Sequence, residues 1–329
     1  MAFGNTYDTT SPGSGVGNRE DLSDVVSILE PEQTPVYSLA GKITAKATNP
    51  EWTLDKLKTP STGAAGVSEG ADVTAFSDQH SGKGRVFNYT QKFQDTWQVS
   101  DFQNAVESAG GSNATTVASA KAKAMRNVKR FVEYAINSDN GRQAEDGSGT
   151  SPYLLSGLGD SIHATNADYP ADYRTPSGSL DTNGASITEL QFNAVLLSIF
   201  RQSGDASQLT AITSTATRQQ LSNFIRHDGA ADTSTERYVV NEDASSKKVT
   251  MAVNVFDSDF GFVRIINANP ACEQATDRCY VLNMNYIKIL SLVGASSYEL
   301  EDQGGGQRGY VKCIESLANL SPLAHGKIT

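Results

Sequence analysis

From residue 85 to residue 99 the chain alternates with a period of two. Phe87, Tyr89, Phe93, Trp97 and Val99 fall on odd positions, with Asn88, Thr90, Lys92, Gln94, Thr96 and Gln98 between them. Over about a dozen residues this is the pattern of a strand with one buried face, and the aromatic enrichment supports it. A second extended arm, from residue 42 to about residue 58, carries Trp52, Leu54 and Leu57 among β-branched neighbours. Between the arms, residues 59–84 turn to Pro, Ser, Gly, Ala and acidic side chains. Hairpin loops usually hold two to five residues, so a tip of roughly 25 is either functional or disordered. A two-stranded ribbon is also marginal in water by itself. The expectation is therefore a long hairpin that lies on a neighbouring subunit.

The rest of the chain reads as mixed helix and strand. Residues 1–18 are Gly, Ser, Thr and Asn in quick succession and predict a flexible arm. Leu22, Val25, Val26 and Leu29 predict a short helix that Pro31 and Pro35 end. The strongest helical pattern covers 116–137. Ala120, Ala124, Val128, Phe131 and Ala135 form its apolar stripe, widened by Met125 and Val132. Lys121, Lys123, Arg126, Lys129 and Arg130 cover much of the remainder. Such a rod is roughly 33 Å long. Residues 141–185 show little periodicity. A second helix follows, with capping-box spacing from Ser186 to Glu189, running to about Phe200. Leu190, Ala194 and Leu197 lie on one side of it, and Phe192, Val195, Leu196 and Ile199 beyond. So apolar a helix should be largely buried. A strand at 209–212, a third helix at 215–225 and a hairpin of 249–255 with 260–266 come next. Another strand covers 279–282, and 286–293 is ambiguous. The chain closes on a hairpin whose turn is Gly304-Gly305-Gly306.

Several chemistries fit poorly. Cys272, Cys279 and Cys313 are too few and too far apart for a disulfide framework or a C-x-x-C site, and read as small buried residues. His80, His163, His227 and His325 lack metal-ligand spacing. The G-x-G-x-x-G letters of 304–309 precede a strand pattern, whereas a dinucleotide site would open a helix there. Ser245 to Lys248 match S-x-x-K only by letters. Asp228, Asp232, Glu236, Glu242 and Asp243 read as a solvated acidic loop without calcium-loop spacing. No cofactor is implied. A net charge of −10 disfavours unselective binding to nucleic acid, which needs many Lys and Arg contacts to phosphate. No stretch nears the ~18 apolar residues of a membrane span, and the first residues lack the pattern of a secretory signal.

Order and local wording together resemble a known family. The opening Arg19-Glu20-Asp21-Leu22-Ser23-Asp24 leads to Ile28-Leu29-Glu30-Pro31-Glu32-Gln33-Thr34-Pro35. Residues 52–57 with Glu69-Gly70-Ala71-Asp72, then 85–100 with Asn88, Gln91 and Phe93, follow in order. Gly309, Glu315 and Pro322-Leu323-Ala324-His325-Gly326 close the match. This resembles the major capsid proteins of tailed bacteriophages with the Hong Kong 97-type fold, and more closely the capsid family of an elongated-head podovirus.

That resemblance implies an α+β chain, not an enzyme, with four parts. These are an N-terminal arm (1–41), an extended loop (42–99), a peripheral domain around a long spine helix (100–150 and 285–329), and an axial domain (151–284). Hexamers and pentamers would tile an icosahedral or prolate head around double-stranded DNA, bound without sequence preference. A separate scaffolding protein, a portal protein and decoration proteins are implied partners, in a virion assembled in the bacterial cytoplasm. The expected subunit contacts are Trp52, Leu54, Phe87, Tyr89, Phe93 and Trp97 on the ribbon, with Arg126, Lys129 and Arg130 on the helix. Phe87→Asp or Trp97→Asp should then impair assembly. The competing readings are another virion component (decoration, tail or adhesin) and a hydrolase using scattered carboxylates.

Overall fold

The computed structural model describes residues 33–57, 66–74, 76, 78, 82–105, 117–204, 208–223 and 254–329. The expected arm at 1–18, the helix at 22–29, the strand at 249–253 and the acidic loop at 228–243 lie outside these residues. The elements, in chain order, begin with α1 (Pro35–Leu39), β1 (Gly41–Thr44), β2 (Glu51–Leu54), β3 (Gly84–Phe87) and β4 (Gln91–Val99). Next come α2 (Asp101–Ala105), α3 (Val117–Ile136), α4 (Leu158–Ser161), β5 (Leu180–Asp181), α5 (Glu189–Ser203) and β6 (Gln208–Thr213). The last are α6 (Thr215–Asn223), β7 (Val255–Ser258), β8 (Gly261–Asn267), β9 (Cys279–Leu282), β10 (Ile287–Leu300), β11 (Gln307–Asn319) and β12 (Gly326–Ile328).

The alternation of 85–99 forms strand, but not one long hairpin. Only β2 and β3 pair with each other, from Glu51 opposite Phe87 to Leu54 opposite Gly84. The amides of Asn88 and Thr90 still bond the carbonyls of Pro50 and Thr48, and from Gln91 onward β4 pairs antiparallel with β11. The resulting sheet has the order β1-β10-β11-β4, with β1 parallel to β10. The ambiguous segment 286–293 is thus the start of a 14-residue strand. Alternation in β4 places Phe93, Trp97 and Val99 inward and Lys92, Gln94, Thr96 and Gln98 outward.

The spine helix α3 lies across the inner face of this sheet. Its buried residues are Ala124, Val128, Val132, Glu133 and Ile136, while Phe131 is 45% exposed. The expected stripe holds through Val128 and then shifts by one position. Residues four apart drift around a helix of 3.6 residues per turn, and packing chooses which edge of the stripe is covered.

A second, six-stranded sheet has the order β5-β12-β9-β6-β8-β7. Phe192, Val195, Leu196 and Ile199 of α5 join Leu209, Val263, Cys279 and Val281 in its core. The opposite side of α5 is open, with Leu190 80% exposed. The capping box is also displaced by two residues from its expected place. Thr188 caps the helix and Gln191 returns the bond. The last strand, β12, pairs with β9 and β5, so it joins this sheet.

The two sheets share one core. Ile212, Tyr280 and Leu282 of the larger sheet pack with α3 residues and with Phe93, Trp97, Val311 and Leu317 of the smaller. At the junction Arg278 reaches Asp139 at 2.5 Å, and Tyr280 donates to the carbonyl of Asn137 at 3.0 Å.

Candidate subunit-contact site

The ribbon of β2 and β3 is seated by the segment that shows the least pattern in sequence. Leu54 and Val86 are buried against Tyr169 and Tyr173, with Trp52 packed beside them. The Tyr173 hydroxyl donates to the carbonyl of Gly82 at 2.6 Å. Between β3 and β4, Asn88 is 4% exposed and its side chain makes four hydrogen bonds. Its Nδ2 donates to the carbonyls of Ser156 (3.1 Å) and Leu317 (2.7 Å). Its Oδ1 accepts from the amides of Ser156 (2.8 Å) and Tyr89 (2.9 Å). Asn88 thus ties the link between β3 and β4 to both β11 and Ser156. A buried amide is tolerated because its donors and acceptors are matched.

This geometry corrects the expectation that the aromatic face of 85–99 has no resting place in its own chain. Phe93 and Trp97 are each 6% exposed and belong to the core under α3; Leu54 is 5% exposed. As placed here, none of these three offers a contact surface. Their partners come from β11, α3 and residues 169–173, which lie far away in sequence. Phe87, Tyr89 and Trp52 remain half-buried. Tyr89 lies edge-to-face with Phe87 (5.5 Å) and tilted against Tyr153 (5.4 Å).

The open surface lies elsewhere. Leu57, Val67, Val73 and Phe76, in and around the ribbon tip, are 71–93% exposed. Glu69 and Asp72 stand exposed among them. On α3, Arg126 and Lys129 are exposed and Arg130 is half-buried. They share the outer surface with Phe131 and Tyr134, which are about half exposed. Lys121 instead pairs with Glu299 and lies 4.9 Å from the Trp97 ring. Sequence reasoning missed the apolar tip residues, although apolar side chains within an otherwise polar, acidic segment were the available signal. Exposed apolar side chains rimmed by charge mark interaction surfaces.

Groups with altered acidity are structural in their surroundings. Burial pushes the Cys279 and Cys313 thiols up to about 12 and Cys272 up to about 11, so none is a ready thiolate. The Glu133 carboxylate accepts from the amides of Val36 (3.0 Å) and Tyr37 (2.8 Å), fixing α1 on the spine helix. Burial raises its pKa although these bonds act the other way. The Tyr37 hydroxyl donates to Glu315 at 3.1 Å. Among the described residues no cluster of three or more His, Cys, Asp or Glu could hold a metal ion. No described helix is long and apolar enough to cross a membrane.

A family model described as SU10 major capsid protein matches residues 3–329. The chain belongs to the SU10 major capsid protein family. Solved structures agree on the fold. The capsid of a native GTA particle is 10% identical with a TM-score of 0.64, covering 98% of this chain and 99% of that one. A Cyanophage A-1(L) capsid chain is 13% identical with a TM-score of 0.60, covering 96% and 97%. A chain from Mycobacterium phage Che8 is 16% identical with a TM-score of 0.54, covering 95% and 97%. No curated protein matches. The fold is the Hong Kong 97 type, and the protein is a major capsid protein of the phage head shell.

Proposed function

We propose that copies of this chain assemble as hexamers and pentamers into an icosahedral or prolate shell around double-stranded DNA. The extended loop of each copy lies on the spine helix of the next. The observation that carries this contact is the pairing of opposites on one molecule. Val67, Val73 and Phe76 with Glu69 and Asp72 present an apolar, acidic tip, and Arg126, Lys129, Phe131 and Tyr134 present a basic, aromatic face. Complementary charge sets register and rate of encounter, and burial of the apolar groups supplies the attraction. The role is that of shell material and not of a catalyst. Scaffolding, portal and decoration proteins are its expected partners, with assembly in the bacterial cytoplasm and packaged DNA enclosed without sequence-specific contacts.

The test is electron microscopy of the protein expressed with its neighbouring gene products. Shells should form from the wild type, fail with Lys129→Glu and Phe76→Asp, and weaken as ionic strength rises. A Glu69→Lys change should restore part of what Lys129→Glu removes. A chain that stays monomeric at high concentration with scaffold supplied would overturn the reading.

A further inference from the structure

Phe87 is the last residue of β3, and three residues separate it from β4. Beyond it, β4 is held along its whole length by β11. Arg142 grips this point in three ways. Its Nη1 donates to the carbonyl of Phe87 at 2.8 Å. Its guanidinium carbon lies 3.7 Å from the centre of the Phe87 ring. Its Nη2 stands 2.9 Å from Oδ1 of Asp168. A planar, forked cation can satisfy an acceptor, a ring and a carboxylate together, which an ammonium cannot. The fit around the ribbon is close, since a Cβ at Gly84 would lie 3.1 Å from the Tyr173 ring.

These contacts do not extend the hydrophobic core. They tie the end of β3 to Arg142 and, through it, to Asp168. We infer that Arg142, seated by Asp168, is a positioning residue that sets the direction in which the extended loop leaves the subunit, and so where its tip meets the next copy. This rests on the loop-to-helix contact proposed above and adds the element that aims it. A tilt of a few degrees at Phe87 is magnified at the tip, so a change confined to Arg142 alters shell curvature before it alters folding.

The experiment uses the full chain as wild type, Arg142→Ala, Arg142→Lys and Asp168→Asn. Amide hydrogen exchange is measured on the unassembled subunit, and particles assembled with the neighbouring gene products are imaged. Arg142→Ala should raise exchange in 82–90 by about tenfold, as expected for local opening, with 91–99 and 307–319 unchanged. Arg142→Lys, which keeps the charge but loses the fork, and Asp168→Asn should fall between Arg142→Ala and wild type. Particles of Arg142→Ala should vary in diameter or grow as tubes. Wild-type exchange in 82–90 would overturn the inference. So would an equal rise in 307–319, which marks a general loss of stability, or uniform wild-type particles from a chain whose ribbon has loosened. If the wild type itself forms no shells, the proposed assembly fails, and the exchange data still decide whether Arg142 holds the ribbon.

Discussion

His325 belongs to the closing Pro322–Gly326 stretch, and the fold leaves it no exposed surface. Its Nδ1 accepts the amide proton of Asn283 at 3.2 Å, so that nitrogen carries no proton. Burial lowers the imidazole pKa from 6.5 to about 3. The unfolded chain takes up a proton below pH 6.5 and the folded chain does not. The stability contributed by neutral His325 is therefore whole above pH 6.5 and is lost as the pH falls toward 3, by roughly 3 kcal/mol at pH 4. Glu133 and Glu315 act in the opposite sense. Burial raises both carboxyls, so their cost grows as the pH rises above 4.5. The two effects separate in a comparison of wild type with His325→Asn, whose side-chain oxygen can still accept the Asn283 proton. Denaturant midpoints from pH 7 to pH 4 should fall more steeply for the wild type; parallel curves would show that His325 is not the group responsible.

Among the elements, the pairing of β4 with β11 is the most sensitive to a single side chain. Gly309 stands opposite Trp97, and the indole lies over it. A Cβ there would come within 2.4 Å of the Trp97 ring and 2.3 Å of the Tyr298 carbonyl oxygen. Gly309→Ala should therefore force ring and strands apart and cost about 1–3 kcal/mol, the usual range for overpacking. The measurement is the shift in denaturant midpoint of the unassembled subunit. Trp97→Asp acts on the same pair from the other side. The expectation from sequence is impaired assembly. With Trp97 in the chain's own core, the outcome should instead be a chain that does not fold, because an unpaired charge is buried. A folded Trp97→Asp monomer by circular dichroism would show the strand placement to be mistaken.

At the scale of the whole molecule, the shared core makes the two sheets one cooperative unit. Leu282 belongs to the larger sheet but packs in the cluster beneath α3, with no exposed surface. Leu282→Ala should cost about 2–5 kcal/mol and keep a single transition. In a Trp52→Phe background, Trp fluorescence follows the smaller sheet through Trp97, and residue-resolved labelling of the buried Cys279 thiol follows the larger. Coincident curves are expected; separate ones would mean that the sheets unfold independently. Cooperativity of this kind suits shell material, because strain at one edge is carried across the subunit through packed side chains that resist compression.

Local pattern sufficed for what depends on neighbours in sequence. The alternation of 91–99, the helix at 117–136, the strand at 279–282 and the hairpin around Gly304 to Gly306 were legible because strand and helix periods are written residue by residue. The order of these pieces, with the wording of the opening and closing segments, was enough to indicate the capsid family. Which surface each strand meets was not legible. Phe93 and Trp97 show that they need a partner, but not that β11, some 210 residues away, provides it within the same chain. Residues 142–173 have no period because they form turns fitted to the ribbon, and such turns take their shape from what they touch. For the same reason the roles of Arg142, Asn88 and Glu133 became visible only in the tertiary structure. A buried polar group is defined by its partners, and Asp168, Ser156, Leu317, Val36 and Tyr37 lie about 25 to 230 residues away along the chain.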